Sequence, residues 1–288
     1  MNRRYFAYGS NLDEQDWHRW CGDKGFREGL LRPLFKAWLP DRALAFTRWS
    51  SARAGGVLDV RPARGHVVEG CVFEVAEGGW DALARKEGSP KHYCPLDTEV
   101  LTADGMAHPV RTFEVVPADR KHFVEPDESY LKVVRAGYRT FAIPETALHA
   151  AATDVPSPAL LANVFVYGTL MRGESRSEVL AGIAGSAPVA GRVPGRVHDL
   201  GAFPGWRPHD ANGAWVTGEL HGAVDASILE ALDRIEGFPG FDTPGGLFRR
   251  RIVNVDATER RQERAWIYAL AGDGDHPRIE SGDWRARR

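Results

Sequence analysis

The sequence predicts an α+β protein of two tandem domains, each a small mixed β-barrel with flanking helices. A duplication is the first indication, because Tyr8-Gly9-Ser10-Asn11-Leu12 returns as Tyr167-Gly168-Thr169-Leu170. Short β-branched, alternating segments also outnumber helical segments in each half, and strands and helices do not alternate regularly. The length of 288 residues suits two domains of about 100–200 residues each.

The predicted boundary lies between the two copies of the motif. The chain from Ala150 to Ala159 is rich in small residues, contains two prolines and has no periodicity. These features are typical of a short, semi-rigid connector. We therefore assign residues 1–152 to the first domain, 153–162 to a linker and 163–288 to the second domain.

The elements of each half follow from local patterns of side chains. β-Branching and alternation predict strands at 57–60, 67–75, 113–116, 215–220, 250–255 and 264–270. Helical periodicity predicts helices around 80–87, 128–138 and 225–236. A further helix is expected after each copy of the turn motif.

Composition narrows the possible partners. The net charge of −2 gives no indication of nucleic acid or an anionic membrane surface as a partner. No apolar run approaches the roughly 20 residues of a membrane span, and the apolar start is too short for a signal peptide. Three widely spaced cysteines, Cys21, Cys71 and Cys94, favour a reducing compartment, so we expect a cytoplasmic protein. Scattered histidines and the absence of a phosphate or dinucleotide motif predict neither a metal nor a cofactor.

The repeated turn is the first candidate for function. In each copy an apolar strand leads into Gly9 or Gly168, and a hydroxyl side chain follows. Glycine permits a positive φ and the close approach of a ligand, and successive backbone N–H groups can hold negative charge. A plain strand-to-helix turn with a Ser or Thr N-cap is the alternative, which the repetition disfavours. Tyr8 and Tyr167 either pack in the barrel or line a pocket, and packing is the favoured interpretation.

A glutamate near the end of a helix is the second repeated feature. Each acid closes an apolar stripe, which runs Trp80-Leu83-Glu87 in one half and Ile228-Leu232-Glu236 in the other. The glycine after each acid is a predicted helix cap. The negative end of the helix dipole and burial both raise a carboxyl pKa towards the range that suits general acid–base catalysis. The alternative is a structural glutamate that is solvated or bonded to an arginine. Because the glutamate occurs in both halves, the catalytic role is favoured over this alternative.

These motifs together resemble the γ-glutamylcyclotransferase superfamily. The first half matches it through residues 8–12, 56–60, 69–75, Glu87-Gly88, Tyr93 and 128–144. The second half is similar to the γ-glutamylamine cyclotransferase branch through residues 167–170, 194–201, 216–220, 232–237 and 281–284. It departs from that branch at His198 and Phe248, where the branch favours tyrosine.

The resemblance implies a cyclotransferase that releases 5-oxoproline and a free amine from γ-glutamyl amines or peptides. The substrate's α-amine attacks its own γ-carbonyl, with Glu87 and Glu236 as general acid/base and no metal or cofactor. The implied partner is a small γ-glutamyl substrate, and the oligomeric state stays open. The implied substrate-binding residues are Tyr8, Gly9, Ser10, Asn11, Leu12, Tyr93, Tyr130, Tyr167, Gly168, Thr169 and Leu170.

Three other interpretations stay open at this point. The chain could be a non-catalytic double module that binds small molecules, a purely structural double barrel, or an enzyme with one active domain. Because the halves match different branches, we expect different substrate preferences. The first half is expected to accept the bulkier substrates, and the second to be the more altered site.

Overall fold

The computed structural model describes residues 4–158, 160–181, 187–208, 213–258 and 260–287. Its residues group into two compact units, of which one holds residues 1–100 and 108–160 and the other holds 101–107 and 161–288. The domain limits and the linker given above stay a prediction. In the described part of the chain, no helix is both long enough and apolar enough to cross a membrane.

The first unit is a closed barrel of five strands. Its strands are β1 (Arg4–Ala7), β2 (Leu31–Ser50), β3 (Gly55–Val75), β4 (Tyr93–Leu101) and β5 (Ala107–Val115). They pair in the order β1-β3-β2-β4-β5, and the ring closes because β1 runs parallel to β5 and antiparallel to β3. The flanking helices are α1 (Glu14–Lys24), α2 (Gly79–Glu87), α3 (Glu128–Thr140) and α4 (Thr146–Ala152).

The second unit contains a ring of the same kind. Its strands are β6 (Val164–Val166), β7 (Val189–Pro194), β8 (Arg196–Asp199), β9 (Pro204–Arg207), β10 (Trp215–His221), β11 (Phe248–Ala257) and β12 (Arg260–Leu270). The order β6-β10-β7-β11-β12 closes through β12, which pairs with both β11 and β6, and β9 and β8 extend the sheet from β12. The helices are α5 (Glu178–Ala181) and α6 (Ala226–Ile235).

The two rings share one topology, which confirms the predicted pair of mixed barrels. In each, the first strand of the repeat is antiparallel to one neighbour and parallel to the last strand of the ring. The helix that precedes the acid follows the antiparallel neighbour directly, because α2 follows β3 and α6 follows β10. The two acids therefore occupy equivalent places in their barrels.

The long hairpin of β2 and β3 departs from the prediction. We predicted separate strands at 57–60 and 67–75, but β3 runs through both, because Arg61 and Pro62 stay paired with β2. No strand was predicted for β2, since Pro33 and Pro40 interrupt its pattern and proline is rare inside sheets. Register shifts beside both prolines accommodate them. Cross-strand pairing therefore overrides the local signals here.

A buried carboxylate joins three parts of the first barrel. Asp59 on β3 is fully buried and accepts a 2.8 Å hydrogen bond from the hydroxyl of Thr47 on β2. It also accepts 2.8 Å bonds from the backbone N–H of Val115 on β5 and from Nε of Arg120. Since a buried charge is costly unless it is paired and hydrogen-bonded, these donors let the carboxylate remain in the core.

Candidate active site

The first turn begins where the buried strand β1 ends. Ser10–Leu12 form a single 3₁₀ turn, and the backbone N–H of Leu12 donates to the carbonyl of Gly9 at 3.0 Å. Gly9 has a φ of −128°, so the predicted use of glycine for a positive φ is wrong at this position. The turn is instead compact because its own hydrogen bonds close it.

Gly168 in the second turn is required for a different reason. It too lies outside the positive-φ region of the backbone. A Cβ atom added at Gly168 would lie 2.4 Å from Cγ of Pro204, which is far inside van der Waals contact. The expected close approach of a ligand stays a prediction, because the group that comes close to Gly168 in the structure is a proline ring of the same domain.

Glu87 lies at the C-terminal end of α2. Gly88 adopts the left-handed conformation with a φ of 63°, and its N–H donates to the carbonyl of Arg85 at 3.3 Å. The N–H of Ser89 donates to the carbonyl of Ala84 at 2.9 Å. These two bonds make a Schellman motif, which ends the helix and fixes the direction of the Glu87 side chain.

Glu236 ends α6 through the same motif. Gly237 also has a φ of 63°, and its N–H donates to the carbonyl of Arg234 at 3.3 Å. The N–H of Phe238 donates to the carbonyl of Asp233 at 2.8 Å. The predicted glycine caps are thus present in both halves, and each acid is the last residue before its cap.

Asn11 joins the first turn to the first acid. Its side-chain amide donates to Oε1 of Glu87 at 2.8 Å and to the hydroxyl of Tyr5 at 2.9 Å. The Oδ1 atom of Asn11 is buried and has no hydrogen-bond partner among the described residues. The site therefore holds an oriented carboxylate beside an acceptor oxygen that a bound ammonium group could satisfy.

Burial sets the protonation of Glu87. Desolvation raises the pKa of this carboxyl, and the charge of Lys86, the hydrogen bond from Asn11 and the charges of Arg53 and Arg48 lower it in part. Burial disfavours the charged form, whereas nearby cations and donors favour it. The net direction is upward, towards the range of a usable general base.

Glu236 shows the same behaviour in a simpler setting. Desolvation raises its pKa to about 7, and only the charge of Arg176 opposes the rise. The Arg176 guanidinium also lies over the ring of Phe203, at 5.9 Å from its centroid. A carboxyl that titrates near neutral pH is matched to taking up and releasing protons under those conditions.

Tyr8 and Tyr167 have matching structural bonds. The hydroxyl of Tyr8 donates to the carbonyl of Phe113 at 2.7 Å, and that of Tyr167 donates to the carbonyl of Tyr268 at 2.7 Å. Both rings are largely buried, yet each also lines the pocket of its barrel. The hydroxyls tie the turn to the last strand of the ring, in agreement with the preference for packing.

Tyr93 and Tyr130 meet at Leu58 on β3. The hydroxyl of Tyr93 donates to the Leu58 carbonyl at 2.6 Å, and the hydroxyl of Tyr130 accepts from the Leu58 N–H at 3.4 Å. Both side chains are buried and lie at the inner pocket of the first barrel. The structure thus brings these two tyrosines together with Glu87, although they are 37 residues apart in the sequence.

The first barrel has a small inner pocket that opens on a larger cleft. The inner pocket has a volume of about 30 Å³, and the cleft has a volume of about 530 Å³. Four residues border both spaces: Ser10, Glu87, Tyr93 and Tyr130. The other residues around the inner pocket are Tyr5, Tyr8, Gly9, Asn11, Leu58 and Phe113. Leu12, one of the predicted binding residues, is buried beneath the turn and does not line either space.

The second barrel has a pocket of about 100 Å³ at the equivalent place. It contains Glu236 and all four predicted turn residues, Tyr167, Gly168, Thr169 and Leu170. Its other walls are mainly apolar and come from Phe165, Val166, Phe203, Pro204, Ile235, Leu247, Phe248 and Tyr268, with Arg176 as the one basic side chain among the pocket residues.

Sequence reasoning missed several of these neighbours. Arg176 follows the second turn by only six residues, whereas Phe203 and Tyr268 lie further along the chain from it, and no local pattern singles out any of the three. Phe248 does line the pocket, as its suspected role at a substrate contact requires. His198 does not, because its Nδ1 lies 3.0 Å from the carbonyl oxygen of His276, outside the pocket.

Two family models match separate parts of the chain. Residues 164–286 match a model described as "Gamma-glutamyl cyclotransferase, AIG2-like". Residues 67–150 match a model described as "AIG2-like family". The first match covers the whole second ring with its turn and acid, and the second covers the acid of the first half together with α3.

A curated bacterial relative matches at the level of sequence. It is a protein of Vibrio cholerae serotype O1 with the name "Putative gamma-glutamylcyclotransferase". The two sequences are 34% identical over 126 residues, which make up 43% of this chain and 96% of the relative. The match thus spans nearly all of the relative and less than half of this chain.

Two solved structures match this chain at lower identity. A human protein described as uncharacterized is 22% identical, with a TM-score of 0.45, over 54% of this chain and 88% of the human chain. A structure named "Gamma-glutamyl cyclotransferase" is 21% identical, with a TM-score of 0.45, over 54% of this chain and 88% of its own.

Proposed function

The chain belongs to the AIG2-like γ-glutamylcyclotransferase family, and on this premise we propose that both of its barrels convert γ-glutamyl amines or peptides to 5-oxoproline and a free amine. Glu87 and Glu236 are the general acid/base residues of this proposal. The observation that carries it is the pair of half-buried carboxyls, each at the C-terminal end of an equivalent helix and each sharing a pocket with its own repeated turn.

The reaction joins two parts of one substrate molecule. The α-nitrogen attacks the γ-carbonyl carbon, a five-membered lactam forms, and the bond from that carbon to the leaving nitrogen breaks. Because both reacting groups are in one molecule, the pocket has to hold a folded conformation of the substrate. Aligned intramolecular reactions reach effective molarities of about 10⁵ M or more, so orientation supplies much of the acceleration.

The acid in each pocket moves the protons. The substrate amine enters as an ammonium group with three protons and is nucleophilic only after it loses one. The Glu carboxylate takes a proton from it and delivers a proton to the leaving nitrogen. One of the three protons stays on the lactam nitrogen, and the other two leave with the amine as an ammonium group. The upward pKa of Glu87 and the pKa of about 7 of Glu236 support this shuttle near neutral pH.

We assign binding of the other charged groups of the substrate to the two turns. The first backbone N–H groups of a tight turn have no hydrogen-bond acceptor within the turn, so they can donate to a carboxylate or to the developing oxyanion. In the first pocket, the unpartnered Oδ1 of Asn11 is a candidate acceptor for the α-ammonium group. The second turn is one residue shorter and has Thr169 next to Leu170, with no asparagine, which supports different substrate preferences for the two sites.

Substitution of the two acids tests the proposal. Glu87→Gln, Glu236→Gln and the double variant keep the shape of the side chain but cannot shuttle a proton as a carboxylate does. General acid–base catalysis is worth roughly 10²–10⁴-fold, so each single variant should lose at least that factor on the substrates of its own barrel. The measurement is 5-oxoproline formation from a panel of γ-glutamyl amines and peptides, and the double variant should be inactive on all of them.

Two results would contradict parts of the proposal. Full turnover by the double variant would show that neither acid is catalytic. A loss confined to one single variant on every substrate would leave one active barrel and make the other a binding module. Glu230→Gln serves as the matched control, because Glu230 is exposed on the same helix that carries Glu236.

A further inference from the structure

Asp233 lies three residues before Glu236 on α6 and contacts two strands of the second ring. It is buried, and its Oδ1 accepts a 2.7 Å hydrogen bond from the hydroxyl of Tyr268 on β12. Its Oδ2 lies 3.7 Å from Nη1 of Arg250 on β11. Because a buried carboxylate is costly unless it is paired and hydrogen-bonded, these contacts hold the side chain in place. The last turn of α6 is thereby attached to the sheet just before the acid.

Arg250 also holds the chain on the other side of Glu236. Its side chain is fully buried, and its Cζ atom lies 4.7 to 5.3 Å from the centroids of three aromatic rings, those of Trp266, Phe241 and Phe238. The faces of aromatic rings attract a cation, most strongly where water is excluded. Phe238 follows the Gly237 cap, and its N–H donates to the carbonyl of Asp233 at 2.8 Å. The segment from Asp233 to Phe238 is therefore held at both ends, with Glu236 inside it.

Tyr268 joins this buried group to the turn. It lines the same pocket as Glu236. Its carbonyl accepts a 2.7 Å hydrogen bond from the hydroxyl of Tyr167, the first residue of the turn motif. Burial raises the pKa of Tyr268 well above its ordinary value, so its own hydroxyl keeps its proton and is the donor to Asp233. A continuous path of contacts thus runs from the turn, through Tyr268, to the helix that carries the acid.

In the first barrel, the equivalent positions carry side chains that cannot form these bonds. Ala84 takes the place of Asp233, three residues before its acid. Phe113 takes the place of Tyr268, because its carbonyl accepts the hydrogen bond from the hydroxyl of the turn tyrosine. Asn11 of the first turn instead donates directly to the acid of that barrel at 2.8 Å. The second turn has no asparagine, so its acid is held by a different set of residues.

We propose that Asp233 is a positioning residue of the second barrel, which through its bond to Tyr268 holds Glu236 in register with the turn. This inference rests on the proposed function, because it assumes that Glu236 moves protons on the substrate. A general base works only within about 2.6–3.2 Å of the proton that it takes, and a displacement of about 1 Å can cost roughly 10²-fold in rate. Asp233 does not line the pocket, so it acts through Tyr268 and the end of α6.

Tyr268→Phe tests the inference, because it breaks the path by removing one oxygen atom. Phe113 at the equivalent place in the first barrel indicates that such a ring accepts phenylalanine there. Turnover is measured as 5-oxoproline formation in the full chain with Glu87→Gln, which confines the reaction to the second barrel. We expect kcat to fall by about tenfold or more, the size of one hydrogen bond to a charged group. KM should change little, since misalignment of the acid affects the transition state more than substrate binding.

Variants at Asp233 separate positioning from a direct role of Tyr268 in the pocket. Asp233→Asn keeps an oxygen that can accept from Tyr268 and should retain most of the kcat. Asp233→Ala combined with Arg250→Met removes the acceptor without leaving an unpaired buried cation, and should lower kcat as much as Tyr268→Phe does. Addition of Tyr268→Phe to this pair should cost nothing further, because all these changes break the same bond.

A variant on the exposed face of α6 is the matched control. Glu230→Gln should leave kcat unchanged, since Glu230 is exposed and its ion pair is with Arg234 on the same helix. Full kcat in the Asp233→Ala, Arg250→Met pair would overturn the inference. So would a further loss when Tyr268→Phe is added to that pair, because Tyr268 would then act independently of Asp233.

The pH–rate profile distinguishes positioning from a general loss of stability. Burial raises the pKa of Glu236 to about 7, and the charge of Arg176 opposes the rise. If the end of α6 moves and water reaches this carboxyl, its pKa falls towards the ordinary value of 4.5. The acid limb of kcat/KM should therefore move to lower pH in Tyr268→Phe. An unmoved limb in a variant with a lower melting temperature would mean a merely structural role and would overturn the inference.

Direct titration separates failure of this inference from failure of the proposed function. If the Glu87→Gln parent yields no 5-oxoproline from any γ-glutamyl substrate, the catalytic proposal for the second barrel is wrong. Carbon-13 NMR of the Glu236 carboxyl, assigned by its absence in Glu236→Gln, then reports its pKa without any turnover. A lower pKa of Glu236 in Tyr268→Phe than in the parent supports the inference, and equal pKa values overturn it.

Discussion

Replacement of Glu236 by glutamine should stabilise the second barrel at neutral and alkaline pH. The folded protein holds this carboxyl with a pKa raised to about 7, whereas its ordinary value is 4.5. When the pH is below both pKa values, the carboxyl is protonated in the folded and the unfolded states alike, so its ionisation does not change the free energy of unfolding. As the pH rises through this window, the unfolded chain ionises first, so folding becomes progressively less favourable. Glutamine removes the ionisation and with it the penalty.

The two pKa values set the size of the effect. They differ by about 2.5, and one pKa unit corresponds to 1.36 kcal/mol. The penalty on the free energy of unfolding is therefore roughly 3 kcal/mol once the pH exceeds both values. Such a cost in stability is common where a protein holds a reactive group in a site that disfavours the charged form of that group.

Urea-induced unfolding at pH 5 and pH 8 measures the effect in the wild type and in Glu236→Gln. Hydrogen exchange of peptides from β11 and β12 reports the unfolding of the second barrel alone. The variant should gain about 2–3 kcal/mol over the wild type at pH 8 and much less at pH 5. Glu230→Gln, on the exposed face of the same helix, is the control and should not show this dependence on pH.

The reasoning would be refuted by a variant whose advantage is the same at both pH values. That result would mean that Glu236 reaches water in the folded state or has a cation strong enough to keep it ionised. A loss of stability at pH 8 would be stronger still, because it would show that the charged form of Glu236 stabilises the barrel.

Two other predictions concern the first barrel. Asn11→Ala removes a hydrogen bond that lowers the pKa of Glu87, so in the Glu236→Gln background the acid limb of the pH–rate profile should move to higher pH. Turnover should fall by at least about tenfold, since bonds to charged groups contribute roughly 1.5–3 kcal/mol, and an unmoved limb would show that Asn11 does not act on Glu87. Arg120→Met leaves the buried carboxylate of Asp59 without its cation and should lower the free energy of unfolding of this barrel by roughly 3 kcal/mol. Thermal denaturation checks this, and an unchanged transition would mean that Thr47 and the backbone donors suffice.

The sequence predicted most of the repeat because its signals are local. A strand that ends in Tyr-Gly-Ser or Tyr-Gly-Thr and a helix that ends in Glu-Gly are both readable within a few residues. The glycine caps at Gly88 and Gly237 were predicted for the same reason, since a left-handed residue after a helix favours glycine. These local signals also fixed the number of barrels, because each half had its own complete set.

Other features follow only from how distant segments meet. The strand β2 was not predicted because its prolines interrupt the strand pattern of the sequence. It forms a strand because it pairs with β3. The sequence predicted a positive φ at Gly9 and Gly168. The structure shows a negative φ at Gly9 and a close contact of Gly168 with Pro204, which only the folded chain could reveal. The bond between Asn11 and Glu87 joins residues 76 positions apart, so no spacing rule could reveal it.

By itself, the sequence determined that the chain has two equivalent units, each with a turn and an acid, because periodicity and capping are properties of neighbouring residues. The tertiary structure decided what surrounds each acid. Closure of the first ring brings Arg48 and Arg53 near Glu87, which already has Lys86 beside it in α2, whereas closure of the second leaves Glu236 among apolar walls with Arg176. The physical reason is that a carboxyl pKa and the charge of a pocket depend on distances in space, which the folding of both barrels sets.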